Sequence, residues 1–356
     1  MTTPIRYREI SVNGPPFALG CQLGEAAREE VRGFAATALE RVNKTVRISR
    51  AKAMELVAAT LPHVEAYSPA MLEELRGVAH SSGVPLEELI LLQIRNQLQP
   101  EKEAGCTSFA LAPQTAAQGA VVGQNWDNDP ALDPFTVVLT RRPEGKPALM
   151  NVTQAGLIAY IGLNSEGLGL CLNTLPAPSR PLGVPHYFTV RGIFEATSLD
   201  GAVAAVARAQ RAIPANIILA TPQGPADLEV TVDQVHVLRD QGGGLVTHTN
   251  HCMHPELTPI NDSFPELIQS GPRKARIDHL LKSAGGPVSL ETLKQALRDH
   301  QDYPRSICRH PSDHSTTDKY WFWVSVFSVI IEADAGRMHL SRGNPCVHPY
   351  ETYSLN

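Results

Sequence analysis

The sequence predicts an α+β fold in which two stacked antiparallel sheets lie beneath layers of helices. The first hundred residues carry helical periodicity, the pattern then changes to short strands, and helices return late in the chain before a final pair of strands. Strict alternation of strands and helices would instead predict a parallel sheet. Because helices and strands stand in separate blocks, we expect sandwiched sheets with helices outside them.

The first block is predicted to be helical from Gly20 to about Arg95. Apolar residues over 27–42 recur at the 3.6-residue spacing of an amphipathic helix. Proline or glycine marks the ends of the helices that follow, since proline starts or stops a helix and glycine caps its end. The predicted helices cover 49–61 (ending at Pro62), 68–83 and 85–97, and the charged stretch QPEKEAG closes the block.

After Gly105 the pattern becomes that of strands, which are short apolar runs separated by turn residues. The predicted strands are AVVGQNW, FTVVLTR, ALMNVT, LIAYIGL, GLGLCLN, ANIILAT, LEVTV, QVHVLR, GLVTHTN, WFWVSVFSVIIEA and RMHLSRG. DQGGG is interpreted as a tight connection between QVHVLR and GLVTHTN. Helices are predicted over 188–210, 273–283 and 289–300.

Net charge, the length of the apolar runs and the distribution of cysteines argue against several functional classes. The 356 residues carry a net charge of −5, so we expect no broad basic face for nucleic acid or anionic lipid. The apolar run from Tyr320 to Ile331 is shorter than the ~20 residues of a membrane span. The start of the chain lacks the apolar core of a secretory signal. Six scattered cysteines then predict reduced thiols in a cytoplasmic protein.

Gly105-Cys106-Thr107-Ser108 stands where the helices give way to strands. Cutting the bond before Cys106 would give this residue both a thiol and a free α-amine, whose pKa values lie near 8.5 and 8. Such a residue is nucleophile and base at once. Gly105 has no Cβ, which leaves its carbonyl open to the thiol. The alternative is a buried structural cysteine at the start of a strand.

Several motifs in order resemble the acyl-coenzyme A:6-aminopenicillanic-acid acyltransferase family (peptidase C45), whose members are N-terminal-nucleophile hydrolases. GCTSFALAP and GQNWDND resemble the nucleophile strand and its partner, and GLNSEGLGLCLNTL, GVPHYFTVR, THTNHC and DYPRSICRH resemble later blocks. The resemblance covers nearly the whole chain. It implies a four-layer αββα sandwich, autocatalytic cleavage between Gly105 and Cys106, and amide hydrolysis or acyl transfer through a Cys106 thioester, with no metal or organic cofactor.

The resemblance also divides the chain. Residues 1–105 correspond to a helical pro-segment, and residues 106–356 to the catalytic part that carries the sheets. Both parts are expected to form one structural domain and to stay associated as a heterodimer after cleavage. The expected partner is a small-molecule amide or acyl thioester, with neither nucleic acid nor membrane involved.

Further site residues follow from the same motifs. Asn250 in VTHTNHC matches a family asparagine near the reacting carbonyl, where its amide would donate to an oxyanion. Asp127 in QNWD matches an aspartate that could hold the α-ammonium or organise cleavage. Each has an alternative interpretation as a turn residue at the end of a strand. Trp126 and Thr107 are expected to contribute to the substrate pocket.

One position departs from the family. Penicillin-forming members carry a Ser-Arg pair before the C-terminal strand, with the arginine near the nucleophile, whereas this chain has Phe322 at the arginine's place. Lys319 or Arg309 could supply the missing guanidinium or ammonium. Phe322 and its aromatic neighbours favour a flatter, apolar acyl or aryl pocket over penicillin chemistry.

Two other functional classes stay open. His248, His251 and His254 recur at spacing three, and three imidazoles with a water would form a hydrolytic zinc site. They follow a strand, however, so the spacing does not place them on one helical face. His310 and His314 are interpreted as solvated loop residues. The chain could also be an inactive family member that acts as a binding protein, since the family arginine is replaced.

Overall fold

The computed structural model describes residues 5–98, 105–240, 242–264, 269–312 and 321–355. Its helices are α1 (Pro16–Ala26), α2 (Arg28–Val42), α3 (Arg50–Tyr67), α4 (Pro69–Ser82), α5 (Leu86–Ile94), α6 (His186–Phe194), α7 (Leu199–Ala207), α8 (Ser270–Lys282) and α9 (Leu290–Leu297). Its strands are β1 (Glu9–Gly14), β2 (Thr107–Leu111), β3 (Val121–Asn128), β4 (Thr136–Pro143), β5 (Leu149–Gln154), β6 (Ile161–Asn164), β7 (Gly169–Asn173), β8 (Ala215–Ala220), β9 (Ala226–Val230), β10 (Val235–Arg239), β11 (Leu245–His248), β12 (Val324–Glu332), β13 (Arg337–Arg342) and β14 (Tyr350–Ser354).

The strands form two sheets, with the orders β1-β4-β5-β6-β7-β8-β9-β10 and β11-β2-β3-β12-β13-β14. Neighbouring strands are antiparallel at every pairing but one, because β1 runs parallel to β4. The prediction of purely antiparallel sheets is wrong at this edge. Two parallel neighbouring strands need a long connection between them. Here helices α1–α5 and strands β2 and β3 form this connection.

The two sheets pack face to face, with β2 and β3 against β7 and β8. Gln124 on β3 donates from Nε2 to the carbonyl of Leu172 on β7 at 2.6 Å, which links the sheets directly. Helices α1, α2 and α7 contact the first sheet, and α8 and α9 contact the second. The predicted α+β class and the four-layer αββα arrangement are therefore confirmed.

Residues 5–98 are joined to the first sheet by more than apolar packing. Strand β1 is part of that sheet, and Glu74 on α4 accepts from Arg141 Nε on β4 at 2.7 Å. The second oxygen of the Glu74 carboxylate lies 2.9 Å from Arg191 Nη1 on α6. All three charged side chains are buried, so the helical segment is fixed to both the sheet and α6.

Some predicted boundaries differ from the structure. Helix α3 continues through Pro62 to Tyr67, although proline removes one backbone hydrogen bond. Val64 and Tyr67 are buried beyond the proline, and their packing holds the last turn. In contrast, the long helix predicted over 188–210 is two helices, α6 and α7. Ser198 separates them by accepting from Gly201 N at 3.2 Å as an N-cap.

The connection from β10 to β11 is short, as predicted, and it joins the two sheets. β10 is the edge of the first sheet and β11 is the edge of the second, so the chain passes between the layers after Arg239 and before Leu245. Gly242 and Gly244 have positive φ angles of 101° and 70°, which glycine adopts without steric cost. Predictions for 99–104, His314 and Lys319 lie outside the described residues. In the part of the chain that the structure describes, no helix has the length and apolar character to cross a membrane.

Candidate active site

Gly105 and Cys106 lie directly before β2, an interior strand of the second sheet between β11 and β3. Strand β2 pairs with β3 so that Thr107 is opposite Asn125. This register brings Cys106 beside the end of β3, where its Sγ lies 4.0 Å from the carbonyl oxygen of Asp127. The thiol is buried, with 5% of the residue exposed. The predicted nucleophile and the predicted aspartate therefore meet at one point.

The backbone at Gly105 is so closely surrounded that no side chain fits. A Cβ added there would lie 2.7 Å from Cβ of Asp127, 2.9 Å from its Oδ2 and 2.9 Å from Nη1 of Arg309. Such contacts are shorter than van der Waals separation, so neighbouring groups would have to move. Only glycine fits at this position without displacing its neighbours. The lack of a side chain also leaves the Gly105 carbonyl open to attack.

Arg273, in the first turn of α8, is the central cation of the site. Its Nη1 donates to Gly105 O at 2.8 Å, to Cys106 O at 2.7 Å and to Thr107 Oγ1 at 2.9 Å. Its Nη2 donates to Asn250 Oδ1 at 3.0 Å. Because these are charge-assisted bonds in a buried place, they both orient the Gly105–Cys106 segment and polarise the Gly105 carbonyl.

Asn250 is fixed from three sides just after β11. Its backbone N–H donates to Ser270 Oγ at 2.8 Å, and Nδ2 donates to Thr174 O at 3.1 Å. Arg273 only donates hydrogen bonds, so the carbonyl oxygen of the amide faces it and the NH₂ group points the other way. The NH₂ group has a second N–H, but Asn250 is fully buried and does not belong to the lining of the cavity beside Cys106.

Asp127 shares its environment with two further groups that come from distant parts of the chain. Ser325 Oγ donates to Asp127 Oδ1 at 2.6 Å and accepts from Arg309 N at 3.0 Å. Burial raises the pKa of Asp127 to about 7, although the charge of Arg309 and the Ser325 hydrogen bond lower it. Asp127 Oδ2 has no hydrogen-bond partner among the described residues. This carboxyl can therefore exchange a proton near neutral pH.

Burial favours the protonated form of the Cys106 thiol. Burial raises its pKa to about 12, and the nearby Asp127 carboxylate contributes in the same direction. Since the thiolate is the nucleophile, the site needs a base to remove this proton. The Asp127 carboxyl, which is close enough to influence the pKa of the thiol, is a candidate for that base.

A cavity of about 70 Å³ opens beside Gly105 and Cys106. This exceeds the ~10–15 Å³ needed for one water, so a substrate group can enter. Its apolar lining comes from residues on both sides of the Gly105–Cys106 bond. These residues include Phe34, Ala38, Val42, Trp126, Leu132, Leu172, Phe322 and Trp323. Trp126 and Phe322, both predicted for the pocket, line it. Thr107 does not, because its hydroxyl accepts from Arg273 inside the sheet layer.

The three histidines of the metal hypothesis do not converge. His248 is buried and hydrogen-bonded at both ring nitrogens, to Thr249 O and to Glu229 Oε1, each at 2.9 Å. His251 Nδ1 instead contacts Ser270 Oγ at 2.8 Å. The His254 ring packs against that of His236, with 4.1 Å between centroids. Their nitrogens share no metal position, so this arrangement holds β11 and the following loop.

Sequence reasoning missed the role of Arg273 entirely. Its guanidinium reaches Cys106 across 167 positions of sequence, and a single arginine in a helix gives no signal of that contact. Arg309 was named only as a substitute for the family arginine. It is buried and lies beside Gly105 and Asp127, whereas Phe322 belongs to the cavity wall. The guanidinium near the nucleophile is thus supplied from a different position.

The model of the acyl-coenzyme A:6-aminopenicillanic acid acyl-transferase family matches residues 115–345. The chain belongs to this family of acyl-transferring enzymes, as its motifs predicted. The acyl-coenzyme A:6-aminopenicillanic-acid-acyltransferase (40 kDa form) of Emericella nidulans is 26% identical over 358 residues, covering 97% of this chain and 95% of that protein.

Solved structures with similar chain paths include a variant of the conjugated bile acid hydrolase from Clostridium perfringens, with 12% identity and a TM-score of 0.45. That match covers 70% of this chain and 97% of the hydrolase. Penicillin V acylase from Agrobacterium tumefaciens has 11% identity and a TM-score of 0.42, over 72% of this chain and 80% of the acylase. The family assignment rests on the sequence matches.

Proposed function

We propose that the protein is a self-processing amidohydrolase or acyltransferase whose nucleophile is Cys106. The observation that carries the proposal is the hydrogen bond from Arg273 to Gly105 O at 2.8 Å, directly beside the buried thiol. A positive charge at this oxygen stabilises negative charge that develops when the thiol attacks the carbonyl carbon. Membership of the acyltransferase family supports the same chemistry.

Maturation begins as an N-to-S acyl shift. Asp127 accepts the thiol proton, Sγ bonds to the Gly105 carbonyl carbon, and Arg273 steadies the oxyanion. The C–N bond then breaks and the departing nitrogen takes up a proton, which leaves a thioester and a free α-amine. Water hydrolyses the thioester to give chains 1–105 and 106–356, which remain associated.

In turnover, the α-amine of Cys106 accepts the thiol proton and Sγ attacks the carbonyl of an amide or thioester. The second N–H of Asn250 Nδ2 donates to the oxyanion, and the α-ammonium returns its proton to the leaving group. The Asp127 carboxylate accepts from the α-ammonium and holds it in place. The acyl-enzyme passes its acyl group to water or to an amine.

The cavity supports an apolar acyl group as substrate. Aromatic and aliphatic side chains, Phe322 among them, make up about half of its lining, and the rest is polar or charged, including Arg41, Arg95 and Asp129. The Emericella nidulans relative is named for acyl-coenzyme A and 6-aminopenicillanic acid. For this chain we propose the coarser class, an acyl amide or acyl thioester, with hydrolysis as the default because acyl transfer requires water to be excluded.

Intact-mass measurement of denatured protein tests the proposal. The unmodified protein should give two species divided between Gly105 and Cys106, and it should release amine or thiol from a library of acyl amides and thioesters. Cys106→Ala should give one uncut chain without activity. Cys171→Ala is the matched control, since this buried thiol on β7 does not line the cavity, and it should be cut and active.

Normal activity or cleavage in Cys106→Ala protein would overturn the proposal. A wild-type chain that stays whole and inert towards the library would instead favour the binding-protein alternative. A chain that is active but uncut would show that the protein is an enzyme whose nucleophile is not an N-terminal residue.

A further inference from the structure

A cluster of two histidines and two cysteines lies outside the cavity, on the far side of the segment that carries Arg309. One ligand atom from each of His300, Cys308, His310 and Cys346 lies within 4.8 Å of all the others. His310 Nε2 is 3.1 Å from His300 Nε2, 3.7 Å from Cys308 Sγ and 3.5 Å from Cys346 Sγ. The four side chains thus surround one point.

Hydrogen bonding does not account for this convergence. An imidazole nitrogen either donates one hydrogen or accepts at one lone pair. His310 Nε2 can therefore satisfy one of its three neighbours, yet all three approach it. A cation in the centre would bind all four atoms at once.

The distances fit a tetrahedral zinc centre. Zinc–nitrogen bonds near 2.0–2.1 Å and zinc–sulfur bonds near 2.3 Å give tetrahedral edges of roughly 3.3 Å for N–N and roughly 3.5 Å for N–S. The observed 3.1 Å between the histidine nitrogens and 3.5–3.7 Å from nitrogen to sulfur lie close to these edges. We propose that His300, Cys308, His310 and Cys346 bind one Zn²⁺ in a closed structural site.

The surroundings have features that such a site needs. Asn344 Nδ2 donates to Cys308 Sγ at 3.5 Å and to Arg309 O at 2.7 Å, so an outer hydrogen-bond donor faces one sulfur. Cys308 is buried, whereas His300 is exposed and leaves a path for the ion. With four protein ligands the zinc has no open position, which makes its role structural.

The zinc would join two separate loops. His300, Cys308 and His310 follow α9, and Cys346 lies between β13 and β14. The ligands Cys308 and His310 flank Arg309, whose backbone N–H donates to Ser325. The ion would therefore fix the segment that brings Arg309 to Asp127. The importance of this segment for catalysis rests on the proposed function, whereas zinc binding itself does not.

The test uses the full chain, expressed without a histidine tag and purified under reducing conditions. Metal analysis should find about one zinc per chain, as expected for a single four-ligand site. Cys346→Ser and Cys308→Ser should lose it, and Cys21→Ser, a matched control on α1 outside the cluster, should keep it. Asn344→Ala leaves every ligand in place and should weaken zinc affinity about 10–100-fold.

Cobalt gives a second readout that does not depend on the cysteine variants folding. After chelator treatment, added Co²⁺ should produce thiolate-to-cobalt absorption in unmodified protein, and excess Zn²⁺ should abolish it. Cys106→Ala protein should still hold its zinc, which separates this proposal from the proposed function. Zinc at background level both before and after incubation with Zn²⁺, or a Cys308–Cys346 disulfide in protein kept reduced, would overturn the site.

Discussion

At the scale of single residues, the space around Gly105 is the most restrictive feature of the site. Asp127 and Arg309 come so close to its Cα that one added carbon has no place. The same two groups set the electrostatics of the junction, because one supplies a carboxyl that titrates near neutral pH and the other a fixed positive charge. Geometry and charge at this point therefore cannot be changed independently.

We predict that Gly105→Ala slows self-cleavage, since its Cβ would displace Asp127 or Arg309 from the scissile bond. The rate is measured from precursor loss after cell-free synthesis. Gly286→Ala is the control, because a Cβ there meets nothing within 4 Å, and it should cleave at the normal rate. Equal rates for the two variants would show that the close contacts at Gly105 are without consequence.

Asp127→Asn should make stability less sensitive to pH. The folded-state pKa of Asp127, about 7, lies above its ordinary value of 3.8 because of burial. The folded chain thus holds a proton that the unfolded chain has released, and stability falls as pH rises from about 4 to 7. In an uncleaved Cys106→Ala background, the melting temperature gained by Asp127→Asn should be larger at pH 8 than at pH 5. A gain that is the same at both pH values would contradict the raised pKa.

At the scale of elements, α8 has two functions in one turn. Ser270 holds Asn250 and its neighbour His251, and Arg273, three residues later, holds both Asn250 and the Gly105–Cys106 segment. Residues three apart share a helical face. A small rotation of α8 would therefore disturb the Gly105–Cys106 segment and the Asn250 amide together.

Arg273→Gln should slow self-cleavage by about 10²–10³-fold, the usual effect of removing one oxyanion donor. Arg276→Gln is the matched control on the same helix, since this arginine pairs with Asp299 at the surface. The two time courses are compared by mass spectrometry. Cleavage of Arg273→Gln at the wild-type rate would remove Arg273 from the mechanism and leave it a structural role.

Much of the architecture could be predicted from sequence, because periodicity and capping act locally. Ser68 caps α4, and Gly83 ends it with a φ of 75°, as predicted. The errors arise where tertiary packing decides, as at Pro62 and in the helix predicted over 188–210, which is two helices. In the site, Cys106 could be found from the Gly-Cys junction and Asp127 from its family motif, whereas Arg273 is brought in by folding alone.

At the scale of the whole molecule, the predicted cleavage divides a continuous core. Apolar residues of 5–98, among them Val31 and Phe34, share one cluster with Val152 and Ile161 of the first sheet. The cavity wall likewise has members from both sides of Gly105. We therefore expect the two chains to co-elute under native conditions and to separate only in denaturant.

Glu74→Gln should weaken this association. Its carboxylate bridges buried Arg141 and Arg191, and removing one member of a buried ion pair costs about 3–5 kcal/mol. The denaturant midpoint at pH 7 should fall. The control is Glu73→Gln, which changes the exposed neighbouring residue and should leave the midpoint nearly constant. These arginines lower the pKa of Glu74 against the effect of burial, so its stabilisation is present at neutral pH and is lost as pH falls through the folded-state pKa. An unchanged midpoint would mean that apolar contacts alone hold the segment.

The pairing of β1 with β4 has a consequence for how the mature protein could be recovered after denaturation. Before cleavage, residues 9–14 and 136–143 belong to one molecule, and their meeting does not depend on protein concentration. After cleavage at Gly105–Cys106 the same pairing becomes a reaction between two solutes, and its rate depends on both concentrations. Dilute mature enzyme would then fail to regain its structure under conditions in which the precursor does, so the cut would make unfolding practically irreversible.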